Sequence, residues 1–110
     1  MSSKTFDLDK IEGFEWDKGN LTKNKERHNV ETKESEEVFF NRPIILLSDP
    51  KHSTDKERRL CVLGKTDKGR LLAIYFTIRK NKIRVISSRN MSKKDRAIFI
   101  AEEVKKEEKR

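Results

Sequence analysis

Arginine is the residue type in this chain that most suggests chemistry. Arg58, Arg59, Arg79, Arg84 and Arg89 fall in three stretches that read as β-strands, near 58–63, 70–79 and 82–89. A guanidinium is permanently charged, and its planar fork matches a phosphate better than an ammonium does. Along 71–79 the side chains alternate. Leu72, Ile74, Phe76 and Ile78 share one face, while Leu71, Ala73, Tyr75, Thr77 and Arg79 share the other. The second set turns polar toward its C-terminal end, and arginines on adjacent strands can converge there. With Tyr75, Thr77 and His28 added, such a cluster is the equipment of a metal-free ribonuclease. RNA brings its own 2′-hydroxyl nucleophile, and the protein supplies cations for the phosphorane, a base and an acid. Taken by themselves, the same arginines read slightly better as ordinary edge and surface charge.

Other chemistries find little support. His28 and His52 are far apart in sequence and no His-x-x-x-His pair exists, so no metal site is expected. Cys61 is the single cysteine and excludes an intrachain disulfide or a cysteine zinc cage. Lying between Leu60 and Val62, it reads as a small buried hydrophobe. The four glycines are scattered and form no phosphate loop, and no cofactor is expected.

The elements that must position these residues follow from length and pattern. The chain has 110 residues, room for one domain. Charged residues make up 42% and apolar ones 33%, so the surface must be densely ionic around one modest core. The balance is 27 basic against 19 acidic side chains, net +8. It is uneven: residues 1–56 carry net −2 and residues 57–110 net +10. A polyanionic partner or a merely soluble basic domain fits that asymmetry equally. No apolar run approaches a membrane span and no signal-peptide h-region is present, which predicts a cytoplasmic protein without membrane association.

Gly13 to Asp17 alternates as a short strand with Phe14 and Trp16 as core anchors. Asp17 is placed to cap a helix over 18–28, and Asn29 to end it in a left-handed conformation. A second helix is predicted over 31–40. Strands follow near 44–48, 58–63, 70–79 and 82–89, with turns at 65–69 and Lys80-Asn81. Ser92 starts a last helix whose charged end, 102–110, reads as solvated or fraying. Helices first and strands in a run give an α+β fold, with N-terminal helices packed on an antiparallel meander and a C-terminal helix. The single domain would span 1–110, with its core at about 14–99 and flexible residues 1–12 and 102–110.

An ordered set of motifs adds to this reading. Phe14-Glu15-Trp16-Asp17, Asn24, His28-Asn29-Val30 and Glu36-Glu37-Val38-Phe39 come first. Asp49-Pro50, His52-Ser53, Glu57-x-Arg59, Gly64 and Gly69-Arg70-Leu71-Leu72 follow. Phe76-Thr77-x-Arg79, Ile83-Arg84-Val85-Ile86-Ser87-Ser88-Arg89 and Ser92-Lys93-Lys94-Asp95-Arg96 complete it. Together they resemble the BrnT family of toxins of bacterial type II toxin–antitoxin systems. The resemblance implies a RelE-like fold and a ribonuclease that inhibits translation. It also implies neutralisation by a BrnA-like ribbon-helix-helix antitoxin, through which alone DNA would be contacted. Asn29 stands where the family usually has Gly, Asp95 replaces the usual Glu, and Phe99 falls where Tyr is common. On this reading Arg59, Arg79, Arg89, His28 and Glu57 are the expected catalytic residues. Arg84, Tyr75, Thr77, Lys93 and Lys94 are expected to bind RNA. The alternative is a non-catalytic basic module that binds RNA or protein within a repressor complex.

Overall fold

The structure is a computed structural model that describes residues 10–54 and 57–108. Its centre is a five-stranded sheet in the order β1-β5-β4-β3-β2. The strands are β1 (Gly13–Glu15), β2 (Ile45–Ser48), β3 (Leu60–Lys65), β4 (Leu71–Arg79) and β5 (Lys82–Asn90). Strands β2 to β5 form the expected antiparallel meander. β1 adds what alternation cannot show: it pairs in parallel with β5, Phe14 opposite Ile83, so the sheet is mixed.

The helices are α1 (Lys18–His28), α2 (Thr32–Val38) and α3 (Lys93–Glu108). Asp17 caps α1 by accepting hydrogen bonds from the backbone N–H groups of Gly19 and Asn20, at 2.7 and 3.3 Å. Asn29 ends it at φ 54°, a conformation that Asn tolerates. α2 is capped one residue earlier than the Thr32 pattern suggested. Glu31 is its N-cap, and the Glu34 carboxylate accepts from the Glu31 N–H. Arg70 then clamps Glu34 at 3.0 Å. Burial raises the Glu34 pKa, but the Glu31 N–H and the Arg70 fork outweigh it and hold the carboxyl below its usual range.

The sheet separates two apolar layers. On one face Val30, Val38 and Phe39, contributed by α2 and its flanks, bury Leu72, Ile74, Phe76, Ile83 and Val85. Phe39 meets Phe76 edge-on at 5.2 Å between centroids, and Phe14 meets Phe39 at 5.5 Å. Trp16 joins this layer and donates its indole N–H to Glu36 at 2.9 Å, tying the end of β1 to α2. On the other face Phe99 of α3 covers Cys61, Leu63, Ala73 and Met91. The C-terminal helix thus lies across the sheet from the N-terminal pair. The charged end read as fraying continues α3 to Glu108, with Glu103 bonded to Lys65 at 2.9 Å. The expected flexible start falls mainly on residues 1–9, outside the described residues, as do 109–110.

Candidate functional site

The arginines gather on the sheet face that Phe99 of α3 packs against. Alternation in β4 turns Tyr75, Thr77 and Arg79 to this face, away from Leu72, Ile74 and Phe76. In β5 alternation alone would separate Arg84 from Arg89, because five positions is an odd number. A bulge removes the conflict. Phe76 pairs with Val85 but Tyr75 pairs with Ser87, so Ile86 is the extra residue. Arg84 then lies opposite Thr77 and Arg89 opposite Ala73, both on the Tyr75 side.

Tyr75 is the centre of the group. Arg89 donates to its hydroxyl at 2.9 Å, and the Arg89 and Arg59 guanidinium carbons lie 5.5 and 6.0 Å from its ring centroid. Burial raises the Tyr75 phenol above its usual pKa, with Cys61 adding to the rise, so the phenol is neutral and available as a donor.

Each arginine also has a carboxylate. Arg79 Nε meets Glu57 at 2.6 Å, Arg84 meets Asp17 at 3.5 Å, Arg59 meets Asp49 at 3.6 Å and Arg89 meets Asp95 at 3.8 Å. The Arg79 hydrogen bond holds the Glu57 carboxyl below its usual range, with Arg84 contributing, so Glu57 is an anion at neutral pH. Beyond Arg79, a pocket of about 480 Å³ is lined by Glu15, Arg79, Lys80 and Lys82. Lys80 and Asn81 turn the β4–β5 hairpin at φ 49° and 65°.

The loop between β2 and β3 brings an imidazole, that of His52, close to the arginines, where the sequence reading had expected His28. Asp49 lies between two partners, His52 Nδ1 at 3.1 Å and Arg59 at 3.6 Å. Ser53 holds the loop in this shape. Its Oγ donates to the Asp49 carbonyl at 2.8 Å and accepts the Arg59 N–H at 2.8 Å. The signal was legible in Asp49-Pro50-x-His52, since three residues of tight turn bring an acid and an imidazole together.

Of the expected residues, the structure brings together Arg59, Arg79, Arg89, Glu57, Arg84 and Tyr75. It does not bring His28. That residue ends α1 on the helix-covered side, where its carbonyl accepts a bond from Arg70 at 3.1 Å. His52 stands at the arginine face instead, exposed beside Asp49. Thr77 faces the right way but is only 3% exposed, and its hydroxyl is covered with no partner among the described residues. It is therefore not presented to a ligand on the surface. Lys93 and Lys94 are exposed in the first turn of α3, beyond Arg89, and Arg58 is exposed ahead of β3. Cys61 is 5% exposed, and burial pushes its thiol up to about 11, which confirms a packing residue. Among the described residues no cluster of His, Cys, Asp and Glu could hold a metal. No helix among them is long and apolar enough to cross a membrane.

A family profile described as the ribonuclease toxin BrnT of type II toxin–antitoxin systems matches residues 16–95, from Trp16 to Asp95. This chain belongs to the BrnT family. The matched span takes in α1, α2, the whole β2–β5 meander and every arginine described above. The BrnT fold is also found in a solved structure. The crystal structure of the Brucella abortus ribonuclease toxin BrnT superposes with a TM-score of 0.54 at 19% identity, covering 74% of this chain and 97% of that one. At that identity the likeness concerns the fold, and it agrees with the α+β architecture and C-terminal helix expected of a BrnT chain. No curated protein sequence matches.

Proposed function

We propose that this BrnT-family chain is an endoribonuclease that cleaves RNA at the Tyr75–arginine face without a metal ion. One observation carries the reading: the β5 bulge brings Arg84 and Arg89 onto the same face as Arg59, Arg79 and Tyr75. In such a reaction the RNA 2′-oxygen attacks the adjacent phosphorus and loses its proton to a base. The P–O5′ bond breaks, and an acid protonates the departing 5′-oxygen. A 2′,3′-cyclic phosphate and a 5′-hydroxyl result. Arg59, Arg79, Arg84 and Arg89 are suited to hold the phosphate and neutralise the charge that grows on its oxygens. Glu57 is an anion and can accept a proton, although its bond to Arg79 makes it a weak base. His52 is oriented by Asp49, and an imidazole can both take and give a proton. Tyr75 can donate a hydrogen bond.

In the cell such activity would inhibit translation in the cytoplasm. A BrnA-like ribbon-helix-helix antitoxin is the proposed partner, with DNA contacted only through it. An acidic, amphipathic segment of that antitoxin would meet the basic face, with apolar contact adding affinity.

The carboxylate beside each of Arg59, Arg79, Arg84 and Arg89 favours one second reading. A phosphate must displace or share these acids, so the face could hold RNA or a partner without cleaving it.

The two readings separate on one experiment. Purified protein is incubated with RNA in EDTA. Cleavage that leaves 5′-hydroxyl ends, and that is lost in folded Arg79→Ala, supports the enzyme. A strict Mg²⁺ requirement would sink the 2′-hydroxyl route. RNA retention without cleavage would select the binding module.

A further inference from the structure

The bulge that aligns Arg84 with Arg89 needs something to hold it. An extra residue in a strand disrupts the ladder locally and leaves backbone groups without partners. β1 does not supply them. Its pairing with β5 ends at Glu15 opposite Arg84, and beyond that point the outer edge of β5 has no strand beside it among the described residues. The chain turns at Asp17 into α1, and α1 lies along this edge instead.

Two asparagines of α1 reach it. Asn20 Nδ2 donates to the Val85 carbonyl at 3.3 Å, and Asn24 Oδ1 accepts the Ser88 N–H at 3.1 Å. They stand at i and i+4, on one side of the helix. Their targets bracket the extra residue, Ile86. The parity of those targets is informative. In an unbulged strand, successive residues turn their peptide groups to opposite edges, so Val85 and Ser88 would face opposite ways. One helix could then bond only one of them. With one extra residue between them, both face α1. The pair of bonds is therefore compatible with the bulged register alone.

Asn24 bears a cost that supports this role. It is 2% exposed, and its Nδ2 has no partner among the described residues. An apolar residue would avoid burying an orphaned donor. What Asn24 adds is an acceptor aimed at a backbone N–H. Next to it Ser35 and Ser88 share a hydroxyl bond of 2.8 Å, so the inner side of the strand is also fixed beyond the bulge.

We infer that Asn20 and Asn24 are positioning residues: they lock the β5 bulge and so hold Arg84 and Arg89 on one face. The inference rests on the RNA-site reading for its consequence in cleavage, but not for its geometry.

The test has two arms. In the first, NMR follows cross-strand contacts between Phe76 and Val85 and between Tyr75 and Ser87, with hydrogen exchange at the Ser88 amide. No RNA is present. In Asn20→Ala/Asn24→Ala these contacts are expected to broaden or shift register and the Ser88 amide to exchange freely, while the β3–β4 contacts persist. In the second arm, single-turnover RNA cleavage is measured on folded protein. The double variant is expected to lose about 10- to 100-fold in rate, the scale of a misplaced catalytic group. Arg84→Ala should add little in that background, because its group is already out of place. Leu46→Ala, a core truncation in β2, which β3 and β4 separate from β5, controls for lost stability and should keep the parent rate. If the double variant does not fold, Asn20→Ala alone carries both arms, since Asn20 is only half-buried. An intact Tyr75–Ser87 register in the variant overturns the clamp. So does a rate loss that Leu46→Ala matches. A parent that neither binds nor cleaves RNA defeats the RNA-site reading, and the first arm still decides the clamp.

Discussion

Glu57 Oε2 lies 2.6 Å from Arg79 Nε, so an acid in the loop before β3 is tied to the last residue of β4. The bond brings the connecting loop down onto the arginine face and fixes the charge state of its acid. Glu57 is held below the ordinary carboxyl value of 4.5 chiefly by this hydrogen bond. A depressed carboxyl pKa stabilises the folded state above the unfolded value and loses that contribution as pH falls through the folded one. The tie should therefore be complete at neutral pH and fade only below about 4.5. Thermal midpoints of the parent and Glu57→Gln between neutral pH and about pH 3 check this. The two curves should differ at neutral pH and converge in acid, whereas a constant offset across the range would show that the pair titrates elsewhere.

Arg89 holds the Tyr75 hydroxyl and lies near its ring, so its removal should loosen the centre of the site. One charge-assisted contact to an RNA phosphate contributes about 1.5–3 kcal/mol, roughly ten- to a hundredfold in kcat/KM. Arg89→Ala should show a loss of that size in cleavage assays, and expression of Arg59→Ala/Arg79→Ala/Arg89→Ala should no longer arrest growth. A folded triple variant as toxic as the parent would remove the arginine face from the mechanism.

Gly64 in β3 has no room for a side chain. A Cβ built there would lie 2.7 Å from Val38 Cγ1 and 3.2 Å from Ile44 Cγ2. Val38 is fully buried and cannot swing away. Gly64→Ala should therefore overpack the layer between α2 and β3 and cost about 1–3 kcal/mol. Urea denaturation gives the value directly, and an unchanged midpoint would mean that α2 yields more readily than its packing suggests.

Cys61 should be inert in the folded protein. Burial pushes its thiol up to about 11, so little thiolate exists near pH 8 and reagent access is blocked as well. A disulfide reagent should react with the native chain far more slowly than with the chain in urea. Equal rates would show that β3 opens freely under native conditions.

The local elements were legible because their signals are local. Asp17 caps the helix after it, Asn29 takes the left-handed end, and Leu72, Ile74 and Phe76 bury one face of β4. Cap chemistry and two-residue alternation depend only on neighbours in the chain. The order of short motifs pointed to the family for the same reason. What the chain does across distance was not legible. Alternation by itself would put Arg84 and Arg89 on opposite faces; a bulge at Ile86, held by Asn20 and Asn24 from more than sixty positions away, reverses that. His28 was the imidazole expected at the site; Asp49 instead joins His52 to Arg59, which lies against Tyr75, and α1 carries His28 to the other side. β1 looked like one more strand, and only its docking beside β5 made the sheet mixed. Register and the choice of face are settled by pairing between segments remote in sequence, and a single extra residue in one strand changes the outcome for every side chain beyond it.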